Sequence, residues 1–489
     1  MPHRMFAGAA LCLSLLLPGL AVAATQACRV PEFPQEVQCG KVQRPLDPAH
    51  PEGRKIDVSY VVVPSQDRNK LPDAIFLLAG GPGQSAISVA GWGQFAFSRL
   101  NRRRDLVFVD QRGTGRSAPL KCPELENSGD LSDTEQALHS AQQCLSRLQA
   151  LPYGDLKQFT TTIAMQDLDA VRQAQGYAKI NLVGVSYGTR AGLEYLRQFP
   201  QSVRRVILDG VVPPDERLPS SDAQLALDAL FSGCAKDARC NTAYPQLAQR
   251  WNSLLASLPR QVTLIHPRLG NEMQLQMTRD LLVSMVHKSL YAPSSLAGLP
   301  YALTQAEQGK YAPLVALSGV TSQPDQSSIA YGMHFSVWCA EEYARLPVTS
   351  AADEFSRLMD GMYKRICEKW PRGDVPAAFY TIPRSPVSVL LLSGGIDPVT
   401  PTLHGAHVAA ALGPKAMHLS IGNAGHGLMS QGGCLRELAY RYLNAKDDNE
   451  AAKIDTSCVR QIPRPMAWLP PVPPSQAGAA APANPGAKP

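Results

Sequence analysis

The sequence lacks most of the marks of metal, nucleotide and nucleic-acid proteins. It has no C-x-x-C and no H-E-x-x-H, so the common zinc frameworks are excluded. No G-K-[ST] follows its glycine-rich loop, which removes the usual phosphate cradle. No run of basic residues is longer than Arg102-Arg103-Arg104, and 47 basic against 41 acidic residues leave a net charge of only +6. That gives nucleic acid no footprint. Charged residues make up only 18% and hydrophobic residues 45%, which excludes a largely disordered chain. Internal repeats are absent, and beyond the N-terminus no segment is long and apolar enough to cross a bilayer.

The chain does have 11 cysteines, an odd number. The N-terminus accounts for the odd one. Residues 1–4 carry positive charge, 5–17 are almost wholly apolar, and Ala21-Val22-Ala23 fits a small-x-small cleavage site. This is the pattern of a secretory signal peptide over residues 1–23, cut near Ala23 or Ala24. A membrane anchor is disfavoured because Pro18-Gly19 interrupts a short apolar stretch. A lipoprotein is disfavoured because Thr25-Gln26-Ala27 before Cys28 lacks a Leu-x-small pattern. Cleavage removes Cys12 and leaves an even set, the expectation for a secreted or periplasmic protein. The remaining cysteines fall in five couples close in sequence: Cys28/Cys39, Cys122/Cys144, Cys234/Cys240, Cys339/Cys367 and Cys434/Cys458. Spacing does not fix connectivity, but it favours five local bridges.

Apolar and β-branched runs predict strands at 58–63, 74–78, 106–109, 179–185 and 203–208, with helices at 163–175 and 187–198. Strands and helices alternating at this length predict a mostly parallel sheet with helices on both faces. From 213 to 383 helical patterns dominate, and strand signals return at 387–393 and 416–421. The expected organisation is therefore a core from 24 to 212, a helical cap inserted over 213–383, and the rest of the core over 384–462. Residues 463–489, rich in Pro and Ala, read as a disordered tail.

Gly184-Val185-Ser186-Tyr187-Gly188 stands between a predicted strand and a predicted helix. A nucleophile elbow needs that place: the turn is too tight for side chains around the serine, and it aims the backbone N–H of Tyr187 at a reacting carbonyl. A serine hydroxyl needs a base, and the base needs an orienting carboxylate. In an α/β-hydrolase fold these follow in the order acid, then histidine. Asp397, in Gly394-Gly395-Ile396-Asp397-Pro398 after a strand, and His426, in Gly425-His426-Gly427 after the next, fit that order. Asp209 is the rival acid; His334, His404 and His418 are weaker bases by placement. Gly80-Gly81-Pro82-Gly83 follows an early strand, so the N–H of Gly81 is the candidate second oxyanion donor.

Ala79-Gly80-Gly81-Pro82-Gly83, Asp110 to Ser117 (DQRGTGRS), Gly184 to Thr189 (GVSYGT), Gly394 to Pro401 (GGIDPVTP) and Gly425-His426-Gly427 together resemble a known family. It is the prolyl aminopeptidase and tripeptidyl aminopeptidase family of secreted bacterial serine peptidases. The resemblance runs from Gly80 to about Cys458, with the C-terminal part like the tripeptidyl branch. It implies an α/β-hydrolase fold with a helical cap, Ser186, Asp397 and His426 as a triad, and Gly81 and Tyr187 as oxyanion donors. Ala79 stands where prolyl aminopeptidases usually carry histidine, which argues against strict proline specificity.

The expected activity is an exopeptidase releasing residues or tripeptides from peptides with a free N-terminus, with no metal or organic cofactor. An esterase of the same fold is the alternative. A free α-ammonium is best met by a partly desolvated carboxylate. Glu341 or Glu342, beside Cys339, is the candidate, against the alternative of two solvated surface glutamates. Asp110 and Arg112 are expected to hold the loop beside the site. Neither a nucleic-acid nor, after signal cleavage, a membrane partner is expected.

Overall fold

In the computed structural model, residues 25–126, 134–216, 221–267, 269–319, 329–343 and 353–470 are described; the segment read as a signal peptide lies outside them. The strands are β1 Gln26–Cys28, β2 Val37–Pro45, β3 Lys55–Val63, β4 Ala74–Leu78, β5 Leu106–Val109, β6 Ile180–Val185, β7 Val203–Asp209, β8 Arg260–Ile265, β9 Glu272–Met277, β10 Val389–Gly394 and β11 Ala416–Ile421. Nine of them form one sheet in the order β1-β2-β3-β5-β4-β6-β7-β10-β11. From β5 to β11 all neighbours are parallel, and β1 to β3 add an antiparallel flank. Such a sheet must be covered on both faces, and β4, β5 and β10 are buried along their whole length.

Register puts the chemistry at one rim. Leu78 of β4 pairs with Gly184 of β6, Gly184 with Leu208 of β7, and Leu392 of β10 with Asp209. The loops bearing Gly81, Ser186, Asp397 and His426 therefore all leave the carboxyl ends of parallel strands, where open α/β sheets gather their sites.

Between β7 and β10 the described elements are helices, among them Asp222–Lys236, Leu247–Ala256, Arg279–Leu290, Pro293–Glu307, Tyr331–Val337 and Glu354–Cys367, and one hairpin, β8–β9. They pack largely around their own core, with Leu227, Trp251, Leu282, Leu299 and Leu314 buried together. The hairpin is an addition to the helix-dominated cap that the sequence leads one to expect. Its outward positions are polar except for the exposed Ile265, and only Val262, Leu264 and Met277 are buried, so its alternation is brief. We call this insertion the cap.

Two further departures concern the ends. β1 and β2 precede the first strand expected from sequence. The stretch beginning at Pro463 is not loose over its described part: Trp468 N–H donates to Ala297 O at 2.8 Å, Tyr244 O–H to Trp468 O at 2.5 Å, and Arg464 to Ala229 O at 2.9 Å. The Trp468 ring meets Tyr301 edge-on at 4.5 Å. Residues 463–470 are a strap laid across the cap; 471–489 lie outside the described residues.

Five disulfides join Cys28–Cys39, Cys122–Cys144, Cys234–Cys240, Cys339–Cys367 and Cys434–Cys458, the couples that clustering favoured. Among the described residues no helix is long and apolar enough to cross a membrane.

Candidate active site

β6 runs into a turn with Ser186 at φ 56°, ψ −127°, and the helix Tyr187–Gln198 begins at the next residue. A non-glycine residue at positive φ is strained and persists only where its surroundings hold it. Here the Ser186 N–H donates to Asp209 O at 2.8 Å, and Thr189 Oγ1 donates to Ser186 O at 2.7 Å. Glycine is required on both sides: a Cβ on Gly188 would sit 2.2 Å from Leu78 O, and one on Gly184 2.3 Å from Gly188 O.

Asp397 and His426 meet as their order in the chain predicts. Nδ1 of His426 lies 2.8 Å from Asp397 Oδ2. Asp397 Oδ1 also accepts the N–H groups of Val399 and Thr400, each at 2.9 Å, and Oδ2 accepts Thr400 Oγ1 at 2.8 Å. Burial works against the charge of Asp397, but His426 and these donors outweigh it and hold the carboxyl below its ordinary value. Burial likewise pulls His426 down, and the Asp397 carboxylate outweighs it, raising the imidazole above its ordinary value. Because Asp397 only accepts, Nδ1 carries the hydrogen and Nε2 is left as the basic atom. The ring sits at the end of β7, the strand next to the nucleophile's: a Cβ on Gly210, just after Asp209, would be 3.3 Å from His426 Cε1.

The cap closes over this rim. Tyr291 O accepts the His426 N–H at 3.1 Å, and the Tyr291 ring stands edge-on to the imidazole at 5.3 Å. His334 bonds Pro82 O through Nδ1 at 3.0 Å, so Nε2 accepts Tyr363 O–H, at 2.7 Å. Burial lowers His334 to about 4, which keeps it neutral and able to hold the Gly81–Pro82 loop without charge. Beneath the cap is a cavity of about 140 Å³ lined by Gly81, Ser186, Tyr187, Arg190, Tyr291 and Glu342, with aromatic walls from Trp338 and Tyr363. Gly81 and Tyr187 thus share one cavity with Ser186, and a Cβ on Gly80 would come within 3.2 Å of Ser186 Cβ.

The structure separates the two glutamates, and neither is a solvated surface group. Glu342 lines the cavity and is ion-paired with Arg190. Glu341 is not among the lining residues, a correction to its sequence-based candidacy for the amine. Its Oε1 accepts the Thr161 N–H at 2.7 Å and its Oε2 the Thr161 hydroxyl at 2.9 Å. The backbone rotation between neighbouring helical residues sends them to different sides.

The rivals are occupied elsewhere. Asp209 accepts Leu428 and Met429 N–H, both at 2.9 Å, and burial lifts it to about 6. His404 bonds Asp222 and Glu216, and His418 bonds Ser393. Asp110 accepts Ser85 Oγ at 2.5 Å and Arg116 N–H at 2.9 Å, tying the loops after β4 and β5; Arg112 pairs with buried Asp167 at 2.6 Å. Arg190, Tyr291 and Thr400 escaped sequence reasoning, and His334, weighed there only as a base, was not expected on the Pro82 loop. Thr400 stands three residues after Asp397 and had a local signal; Arg190 directly follows the Gly184 to Thr189 motif, and Tyr291 and His334 stand in or at the end of cap helices without a motif. Among the described residues no group of three or more His, Cys, Asp or Glu is placed to hold a metal ion.

A nine-stranded, mostly parallel sheet with a serine turn, acid and histidine in this order defines an α/β-hydrolase. The chain belongs to the alpha/beta hydrolase fold family, whose profile matches residues 73–432. It is similar to the tripeptidyl aminopeptidase of Streptomyces lividans, 32% identical over 248 residues, though the match spans only 45% of this chain and 45% of that relative. The serine protease Hip1 of Mycobacterium tuberculosis (H37Rv) is 26% identical over 459 residues, 84% of this chain and 86% of that one. Carboxylesterase B of Mycobacterium tuberculosis (CDC 1551) is 27% identical over 421 residues, 77% of this chain and 78% of that one. A solved thermophilic esterase from Thermogutta terrifontis aligns at TM-score 0.37 and 12% identity, over 82% of this chain and 97% of that one. The family match makes this chain an α/β-hydrolase, similar over the shares given to a tripeptidyl aminopeptidase, a serine protease and a carboxylesterase.

Proposed function

We propose that the protein is an exported serine aminopeptidase acting on peptides with a free N-terminus. Ser186 Oγ attacks the carbonyl carbon of the scissile peptide bond while His426 Nε2 takes its proton. The N–H groups of Gly81 and Tyr187 stabilise the oxyanion, and losing one such donor would lower the rate about 10²–10³-fold. The histidine then protonates the leaving amine, Asp397 stabilises the charged imidazole, and water resolves the acyl-enzyme by the reverse sequence.

The observation that carries the reading is the Asp397–His426 hydrogen bond of 2.8 Å at the rim that also bears Ser186, under a cap that presents the carboxylate of Glu342 to the cavity. A buried carboxylate attracts an ammonium strongly because water is excluded around it. Similarity to a tripeptidyl aminopeptidase and to the serine protease Hip1 supports peptide substrates. Export is supported by the five disulfides and by the N-terminal pattern of residues 1–23.

The test is a panel of aminoacyl and tripeptidyl anilides, free and N-acetylated, beside nitrophenyl esters. Cleavage of free anilides well above acetylated ones is expected; equal cleavage of both removes the amine-recognition reading. A second reading, an esterase, is favoured by the carboxylesterase relative and by Arg190, which already neutralises Glu342. Activity confined to the esters would establish it.

A further inference from the structure

A π-helical turn of the cap, Trp338–Glu342, is pinned by Cys339–Cys367 and sends two successive carboxylates against the start of the nucleophile helix. Glu342 reaches Arg190. Glu341 reaches Tyr187 through one hydroxyl: Thr161 Oγ1 is 2.9 Å from Glu341 Oε2 and 2.6 Å from the Tyr187 hydroxyl, which in turn accepts Gln111 Nε2 at 2.8 Å. Glu341, Thr161 and Tyr187 are all buried.

The donor inventory of this chain has one arrangement in which every hydrogen is placed. An ionised Glu341 only accepts, so it takes the Thr161 O–H. Thr161 then accepts the Tyr187 O–H, and Tyr187 accepts Gln111. A proton on Glu341 Oε2 reverses the chain. Thr161 then accepts that proton, and either its own hydrogen or the phenolic hydrogen of Tyr187 is left without an acceptor in the Glu341–Thr161–Tyr187 chain. A buried donor without a partner is costly, so the Tyr187 side chain is then held less firmly.

We propose that Glu341 is a positioning residue for hydrolysis: through Thr161 its ionised carboxylate fixes Tyr187, and with it the Tyr187 N–H beside Ser186. This rests on the reading of Ser186 as nucleophile and Tyr187 as oxyanion donor. The charged and titratable groups facing Glu341 are Arg190, which favours the ionised form, Glu342, which opposes it, and Tyr187. Burial is the largest influence and raises Glu341 to about 7, so the hydrogen-bond chain reverses as pH falls through that range.

The experiment compares the parent protein with Glu341→Gln, Thr161→Val, Tyr187→Phe and Ser186→Ala. Active sites are counted with a fluorophosphonate, and kcat and KM are measured on p-nitrophenyl acetate and alanyl p-nitroanilide from about pH 5 to about pH 9. On whichever substrate is turned over, Glu341→Gln should lower kcat per active site about tenfold while KM moves less than about twofold. Its acid limb should fall with one proton where the parent's falls with two. Thr161→Val and Tyr187→Phe, which remove single groups from the chain and leave the Tyr187 N–H, should show the same kcat loss. They serve as the test if Glu341→Gln does not fold. A parent that fluorophosphonate does not label, or labelling that survives in Ser186→Ala, overturns the reading of the site. Normal labelling with an unchanged kcat and a two-proton acid limb in Glu341→Gln overturns the present proposal alone, as does a normal kcat in both other variants.

Discussion

Asp397 is buried yet stays charged because three donors besides His426 converge on it: the N–H groups of Val399 and Thr400 and the Thr400 hydroxyl. Asp397→Asn should keep the fold and lower kcat by ~10⁴, because an amide offers its own hydrogens and favours the wrong imidazole tautomer. Thr400→Val removes one donor and should cost about tenfold in kcat, measured on the same anilide or ester. The base must be neutral to act, and Asp397 raises His426 above its ordinary value. Activity should therefore be present above that raised value and be lost as pH falls through it, an acid limb lying above the ordinary histidine range in kcat/KM. Ser186, Asp397 and His426 were legible in the sequence because each sits on a glycine-rich turn just past a strand. Arg190, Tyr291 and His334 were not, because a residue in a helix or at its end carries no local mark of the distant loop it will touch.

At the scale of elements, the turn that carries Ser186 tolerates no side chain at its flanks. In Gly188→Ala the new methyl would overlap Leu78 O, and no rotamer of alanine relieves it. The helix Tyr187–Gln198 would have to withdraw from β4. The expected result is a loss of at least about 3 kcal/mol in stability, read by denaturant melting, together with loss of fluorophosphonate labelling. The central strands declared themselves in sequence as short, continuous apolar runs, as strands buried on both faces do. β2, in contrast, is an outer strand with half-buried polar residues, Val-Gln-Cys-Gly-Lys-Val-Gln-Arg-Pro, and only weak alternation. The hairpin β8–β9 buries one narrow face on the cap, so neither run stood out from its polar surroundings.

At the scale of the molecule, the cap is joined to the rim by polar contacts from several directions: Glu341 and Glu342 on the nucleophile's side, His334 on the Pro82 loop, and Tyr291 on the histidine loop. The strap adds a link from behind. Asn423, three residues before His426, donates to Ile462 O at 2.9 Å, and the strap then crosses the cap to Trp468. Its Pro-rich composition hid this from sequence, since its few apolar residues show no helix or strand period. Removing residues 463–489 should lower stability by about 1–2 kcal/mol, from the lost packing of Trp468 and Leu469. Ile462 stays in the shortened chain but loses the strap that anchors it, so activity should also fall through the histidine loop, and the two effects are read as a lower melting temperature and a lower kcat. The disulfides act differently, for none of the five crosses between cap and core. Each also joins two cysteines that are consecutive once Cys12 is set aside. A chain entering an oxidising compartment from its N-terminus would therefore reach the right partner first every time, with no later cysteine yet present to compete. Oxidation in order of arrival already yields the native pairing, so such a chain needs an oxidant but no isomerase to repair its bridges.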